Sequence, residues 1–421
     1  MTKPMGPIPA GFAADEDGIL LIGGRRADAL VEQAGDTPLF VYDLALIDAK
    51  VGRFRAAFPG VHLHYAIKAN SYQPLLNHVA KQVDGLDIAS VGEMDFALES
   101  GTAAAEISFA GPGKRDGELG EAIQEGLTLN AESEGEVERA LAIGRKLGHR
   151  PRLAVRVNPD FEIKGSGMRM GGGAKPFGVD AARVPALVRR IVDSGADWRG
   201  FHIFAGSQAL DADALIEAQA ATLALAAQLA QEAGATPPLV NLGGGFGIPH
   251  FHGEQSLDVE KVGIALGEGL AARAPILRDS RFAIELGRWL VGECGVYLTR
   301  IVDRKVSHGK TFLIVDGGLH HQLAASGNFG QVVRRNYPAA IATRFGKESE
   351  EEVSIVGCLC TPLDRLADDV MTPRAEVGDL VAVFLAGAYG LSASPQAFLT
   401  QQPALEMVLN SAEELNASPR A

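Results

Sequence analysis

The chain has 421 residues, 47% of them hydrophobic, enough to bury a large core and to divide into two domains. Its formal net charge of −13 offers no basic face to nucleic-acid phosphates, and no apolar run approaches the roughly 18 residues of a membrane span. Three cysteines, Cys294, Cys358 and Cys360, are too few for a disulfide framework, so reduced thiols and a cytoplasmic setting are expected.

The opening stretch "MTKPMGPIPAGFAADEDG" lacks a basic start followed by a long apolar run and does not read as an export signal. "GILLIGGR" reads as a strand that joins a β domain formed later in the chain. From about residue 39 to 288, short β-rich runs alternate with segments of helical period such as "DADALIEAQAATLALAAQLAQEAG". The runs are "FVYDL", "LHYAIKAN", "GLDIAS", "ISFAGP", "LTLNAE", "RLAVRVNP", "GFHIFAG", "LVNLGGG" and "FAIELGR". Such alternation implies an α/β fold with parallel strands, and eight units close a (β/α)8 TIM-type barrel. The first run enters the barrel region without joining the closed set. After about residue 290, "GVYLTRIVDRKVSHGKTFLIVDGG", "EVSIVGCLC" and "GDLVAVFLAGAYG" have little helix between them. They predict a C-terminal antiparallel β domain over 289–421, joined by the N-terminal segment 1–38. "GKESEEEVS" reads as a solvated acidic turn.

In a barrel of this kind the C-terminal ends of the strands face the site. Lys68 lies there, in a run where Leu63, Tyr65 and Ile67 alternate with His64, Ala66 and Lys68. Its ammonium either snorkels to the rim or, partly buried, gives up its proton and serves as a Schiff-base amine. Gly243, Gly244 and Gly245 form either a tight turn or a cradle of N–H groups for an anion. Glu285 and Arg288 end the next strand; Gly206 and Ser207 lie in "FAGSQ" and Tyr389 in "GAYG". Singly, each has an ordinary reading as a turn, an ion pair or packing. Together they fit one ligand, pyridoxal 5′-phosphate: an amine for its aldehyde, a cradle for its phosphate, a carboxylate for its ring nitrogen. A carboxylate there favours the protonated ring, the stronger electron sink.

The elements "YAIKAN", "DIASVGE", "RVNPD", "GSQ", "GGGFG", "ELGR", "CTPLD" and "GAYG" occur in one order. In that order, over nearly its full length, the chain resembles the fold-type III pyridoxal-phosphate decarboxylases, the group holding diaminopimelate and ornithine decarboxylases. The resemblance implies decarboxylation of an amino acid's α-carboxylate, with Lys68 as the Schiff-base lysine and Glu285 at the ring nitrogen. It implies that Ser207, Gly243, Gly244, Gly245, Arg288 and Tyr389 surround the phosphate, and that Asp87, Glu93 and Arg156 support the ring and the lysine. It also implies a homodimer with composite sites, in which the Cys360–Asp364 element enters the partner's site and Cys360 helps return a proton to carbon. Two alternatives are an amino-acid racemase on the same fold, which pairs the ring nitrogen with arginine, and a non-catalytic cofactor-binding regulator. Glu285 and "CTPLD" speak against the first, and the second domain with its Cys360–Asp364 element speaks against the second.

The chain departs from the family's pattern in three places. Phe204 stands where a histidine stacks on the cofactor ring, and it is assigned stacking only. His202, two residues earlier, is either a site residue or a packed structural one. Thr361 replaces the acid that receives a substrate's distal amine. "RRNYPAA" resembles only loosely the Arg-Pro-x-x-Tyr segment that holds a distal carboxylate, which makes Arg335 and Tyr337 candidates for substrate contact beside Thr361 and Asp364. The glycine-rich stretch across 160–178 reads as a floppy loop or as a lid. "HIFAGSQ", "CTPLD", "RRNYP" and "EIKGSGMRMGGGAKPFG" resemble the decarboxylases associated with exosortase A systems. That resemblance implies an aminoacyl substrate on an acyl carrier protein, and a tethered acid without a distal amine agrees with Thr361.

Overall fold

The computed structural model describes residues 2–162, 168–169, 171–329, 331 and 333–410. Two compact units divide them: Lys50–Ile248 with Ser256–Trp289 form one, and the described remainder forms the other. Residues 163–167 and 170, at the centre of the stretch read as a floppy loop or lid, lie outside the described residues.

The first unit is a barrel of eight parallel strands. They are β1 (His62–Ala66), β2 (Gly85–Ile88), β3 (Ile107–Phe109), β4 (Thr128–Ala131), β5 (Arg152–Asn158), β6 (Asp197–Ile203), β7 (Leu239–Gly244) and β8 (Arg281–Leu286). Each pairs with the next, and β8 pairs back onto β1, so no edge is left open. Helices follow most strands; the longest, Ala212–Ala233, starts where the Asp211 side chain accepts from the Asp213 and Ala214 N–H groups.

Register decides which side chains share the interior. Glu285 lies opposite His64, Ala66 opposite Asp87, Asp87 opposite Ser108, and His202 opposite both Arg156 and Asn241. In-register neighbours point to one face. The other face carries Leu63, Tyr65, Leu86, Ile107, Val155, Val240 and Ile284, all buried. The lumen is therefore polar, where barrels of this kind are commonly filled by branched apolar side chains. A cavity of about 30 Å³ among His64, Ser108, Thr128, Asn130 and Asn241 has room for water.

The second unit holds a mixed eight-stranded sheet. Its spine, Gly295–Ser307, pairs antiparallel with Lys310–Val315, Leu380–Phe384 and Leu39–Asp43. The expected antiparallel domain thus holds, with two parallel pairs added: Lys310–Val315 with Glu351–Val356, and Leu405–Leu409 with Leu39–Asp43. Leu39–Asp43 is flanked by partners on both sides and wholly buried, which is why its run reads as core. The span 39–288 expected for the barrel therefore begins one strand too early. "GILLIGGR" does not extend this sheet either. Gly23 and Gly24, at φ of 56° and 74°, turn Leu20–Ile22 back on Arg25–Arg26, and with Ala13–Ala14 they make a separate three-stranded sheet. The acidic stretch expected as a solvated turn ends at Glu350, because both Glu351 oxygens accept from the Arg304 guanidinium at 2.8 and 2.7 Å. Among the described residues no helix is long and apolar enough to cross a membrane.

Candidate active site

Strand β1 stops at Ala66, and Ile67–Ala69 form a single 3-10 turn. Lys68 therefore stands on a turn at the barrel's C-terminal end, with its side chain 50% exposed, rather than inside the strand as its alternation suggested. The turn is anchored by its neighbours. Ile67 is buried, the Tyr65 hydroxyl donates to the Asn70 carbonyl at 2.8 Å, and Asn70 Oδ1 accepts from the Tyr72 N–H at 2.9 Å. The tyrosine and asparagine of "YAIKAN" thus fix the turn that aims the lysine.

Glu285, near the end of β8, faces that lysine. Lys68 Nζ lies 3.7 Å from Oε1, and His202 Nε2 lies 2.9 Å from Oε2. Burial alone would raise the proton affinity of this carboxylate. The Lys68 charge, the His202 hydrogen bond and the Arg156 charge outweigh it and hold Glu285 ionised, far below the ordinary carboxylate range. Lys68 Nζ also lies 5.9 Å from the centre of the Phe204 ring, which stacks with His202 at 6.4 Å and 23°.

The motifs meet through their glycines. A Cβ on Gly287 would lie 2.9 Å from that of Ala69, so "ELGR" packs directly against the lysine turn. A Cβ on Gly244 would lie 1.8 Å from the Glu285 carbonyl oxygen, and one on Gly243 would lie 2.7 Å from that of Ile203. These glycines are first of all packing contacts, and the Gly243 N–H is already taken by Asn241 Oδ1 at 2.9 Å. The cradle is narrower than three free N–H groups. What remains fits an anion. Gly245 takes a left-handed φ of 79°, and Ser207 Oγ is buried with no partner. Gln208 staples the two loops, its amide donating to the Ile248 carbonyl at 2.6 Å and accepting from the Ile248 N–H at 3.3 Å. Arg288 opens the short helix Arg288–Val291 just beyond β8.

Arg156 is held by a carboxylate that the sequence reading did not single out. Its Nη1 donates to Glu132 Oε1 at 2.7 Å, and its guanidinium lies 5.0 Å from the Phe177 ring centre. Burial works against ionised Glu132, but Arg156 and the Gly178 N–H bring its pKa below the ordinary value. Glu132 continues the period-two parity of Thr128 and Asn130 in "LTLNAE", so its inward position was legible. Asp87 accepts from Ser108 Oγ, and its Oδ2 lies 3.4 Å from His64 Nδ1, within the polar lumen. Glu93 has a local role as well. Its Oε2 accepts from the Ala89 N–H at 2.6 Å while its own N–H donates to Ser90 Oγ at 3.2 Å. Ser90 thus caps the start of Val91–Glu99, one Glu93 oxygen ties that start to Ala89, and the carboxylate feels the charge of Lys68.

In the second unit Cys360 is exposed, while Cys294 is buried and its thiol is pushed well up by that burial. Burial and Asp364 push the Cys358 thiol up to about 11. Asp364, expected to touch substrate, is instead enclosed. Its oxygens accept from the Leu319 N–H at 2.6 Å and the Leu359 N–H at 2.8 Å, and burial raises its pKa. Gly318 and Gly357 make room for it; a Cβ on either would lie 2.4 or 2.2 Å from its oxygens. Asp364 thus ties the Cys360 loop to the turn after Gly317. Thr361 is half-buried beside it. Arg335 stacks on Phe251 at 3.6 Å and reaches Glu254 at 3.4 Å, and Tyr337 is buried against His250 and Phe251. Tyr389 holds a φ of 53°, and Gly387 before it has no room for a side chain, since a Cβ would lie 1.7 Å from the Val291 carbonyl.

A closed parallel barrel with an amine on its first turn, an ionised carboxylate opposite and an unpartnered hydroxyl beside a glycine turn defines a vitamin B6-dependent barrel enzyme. The residues present fit pyridoxal 5′-phosphate. The chain belongs to the pyridoxal-dependent decarboxylase family, whose pyridoxal binding domain matches residues 44–292. Its cofactor is pyridoxal 5′-phosphate and its reaction class is amino-acid decarboxylation. The chain is 35% identical to an L-glutamyl-[BtrI acyl-carrier protein] decarboxylase of Niallia circulans, with 89% of each chain covered. It is 30% identical to a diaminopimelate decarboxylase of Archaeoglobus fulgidus, over 90% of this chain and 89% of that one. Among solved structures, the diaminopimelate decarboxylase of M. jannaschii in complex with L-lysine superposes with a TM-score of 0.86 at 25% identity, covering 95% of this chain and 93% of that one.

Proposed function

We propose that the chain decarboxylates an aminoacyl group delivered on an acyl carrier protein, as a homodimer in which each chain completes its partner's site. The observation that carries this reading is Thr361. A neutral hydroxyl follows Cys360 where the resemblance puts an acid for a distal amine. Without that acid a free diamino acid loses a buried charge pair, a deficit of ~2–5 kcal/mol. The carrier-bound substrate in the name of the Niallia circulans relative supports the same reading.

When bound, the cofactor supplies an electron sink for the pair released as carbon dioxide leaves. Lys68 Nζ would hold it through its aldehyde carbon. Glu285 Oε1 would lie against the ring nitrogen and keep it protonated, which makes the ring the stronger acceptor for that pair. Phe204 would cover one ring face, and Arg156, fixed by Glu132, would support the ring. Ser207, Gly244, Gly245, Arg288 and Tyr389 would hold the phosphate. Cys360 of the partner subunit would give its Sγ proton to the carbon that lost its carboxylate, and Asp364 would fix the loop that carries it. Arg335 and Tyr337 would meet whatever lies beyond the reacting end of the substrate.

Carbon dioxide release from free amino acids and from the same acids loaded on a carrier tests this. The carrier-bound form is expected to show a kcat/KM at least ~30-fold higher, the ratio that ~2 kcal/mol sets. Equal values on free diaminopimelate or ornithine would overturn the tethered substrate.

A further inference from the structure

We infer that His202 is a positioning residue for the decarboxylation: it holds Glu285 Oε2 so that Oε1 is the oxygen presented to the ligand of Lys68. His202 lies on β6 in register with Arg156 on β5 and Asn241 on β7, so three inward side chains form one row. Each member positions a different part of the site. Arg156 pairs with Glu132, Asn241 Oδ1 accepts from the Gly243 N–H, and His202 Nε2 donates to Glu285.

The environment gives that last bond its direction. The side chains of His202 and Glu285 are 4% and 6% exposed, so water does not compete for either. His202 Nδ1 is buried with no partner. With nothing at Nδ1 to receive a hydrogen and a carboxylate oxygen 2.9 Å from Nε2, the Nε2 hydrogen is aimed at the carboxylate. A histidine that served packing alone would be satisfied at both nitrogens or replaced by an apolar side chain of its size. Here the one satisfied nitrogen is satisfied by Glu285.

Glu285 has need of this second hold. The cation paired with Oε1 is the amine of Lys68, which the proposed function commits to the cofactor. Once that amine is engaged, a buried carboxylate without His202 would turn away or take up a proton. Either change removes the anion from the ring nitrogen. The inference therefore rests on the assignment of Glu285 to that nitrogen.

Four variants of the holoenzyme, His202→Phe, His202→Gln, His202→Asn and Glu285→Gln, separate the two ideas. Phenylalanine keeps the ring without a donor. Glutamine reaches with an amide nitrogen to about the place of Nε2, whereas the shorter asparagine reaches only to that of Nδ1. His202→Phe is expected to lower kcat by about 10- to 100-fold, the value of one hydrogen bond to a charged group, with KM nearly unchanged. It should also shift the visible absorption band of the bound cofactor. His202→Gln should retain the wild-type band and most of kcat, and His202→Asn should behave as the phenylalanine variant does. If His202→Phe fails to fold, the glutamine–asparagine contrast carries the test alone. A band and kcat unmoved in Glu285→Gln would show that the assignment of Glu285 has failed. If Glu285→Gln shifts both while His202→Phe or His202→Asn matches wild type, or glutamine does not rescue, the role of His202 is overturned and that of Glu285 stands.

Discussion

Replacing Asp364 with alanine asks whether one buried carboxylate holds the loop that presents Cys360. Asp364 is 3% exposed, and its two oxygens accept from backbone N–H groups at 2.6 and 2.8 Å. Hydrogen bonds to a charged group contribute ~1.5–3 kcal/mol each, so the pair amounts to ~3–6 kcal/mol. Burial of the charge, visible in the raised pKa of Asp364, offsets part of that. Alanine also strands two N–H groups, and a net loss of ~2–4 kcal/mol is expected. Asparagine keeps one acceptor but turns an amide N–H2 toward the other donor, for a loss of ~1–3 kcal/mol. The assay is urea unfolding of wild type, Asp364→Ala and Asp364→Asn, read as a shift in midpoint at constant slope. Carbon dioxide release is followed in parallel. A released loop should lower kcat at least tenfold, roughly the effect of misplacing a reacting group, while the absorption of the barrel-bound cofactor stays unchanged. An Asp364→Ala chain with the wild-type urea midpoint and wild-type turnover would refute the reasoning.

Gly244→Ala would place a methyl 1.8 Å from the Glu285 carbonyl oxygen, so cofactor affinity should fall at least ~10-fold in an absorbance titration. Unchanged affinity would contradict the contact between "GGGFG" and "ELGR". Glu285 has a folded-state pKa held below its ordinary 4.5, so its stabilisation is complete above that value and is lost as pH falls below it. The stability gap between wild type and Glu285→Gln should therefore narrow from pH 7 to pH 4, and a gap that widens would reverse the sign assigned here. Mixing a Lys68→Ala chain with a Cys360→Ala chain should restore about a quarter of wild-type activity, since half of randomly paired dimers carry one intact site of two. No recovery in proven heterodimers would remove the composite site.

Much of the barrel was legible because each parallel strand is a short apolar run followed by a helical period, and because the motifs are contiguous. Lys68 shows where contiguity stops helping. Its parity with His64 and Ala66 pointed inward correctly, but nothing in "AIKA" signals that the strand ends. The turn exists because Tyr65 and Asn70 bond to each other across it. Glu93 shows where local spacing does help. "SVGE" has the spacing of a helix start, and the structure gives it that local role: Ser90 Oγ accepts from the Glu93 N–H and the Glu93 carboxylate accepts from the Ala89 N–H. Asp364 was beyond reach, since its partners are backbone N–H groups some 45 and 5 residues away and the glycines that admit it are separate in sequence. Leu39–Asp43 reads as a buried strand, but its composition does not say which sheet buries it.

The hydrophilic lumen bears on how the barrel responds to temperature. Most of the oily surface released on melting comes from the sleeve between strands and helices, since the axis contributes His64, Asp87, Ser108 and Asn130 in place of a greasy plug. Exposed polar surface lowers the heat-capacity increment that apolar surface raises. Calorimetry should accordingly give this barrel a smaller increment per residue than a barrel of equal length with an aliphatic axis. Its stability curve would be broader and shallower, with less tendency to fall apart in the cold.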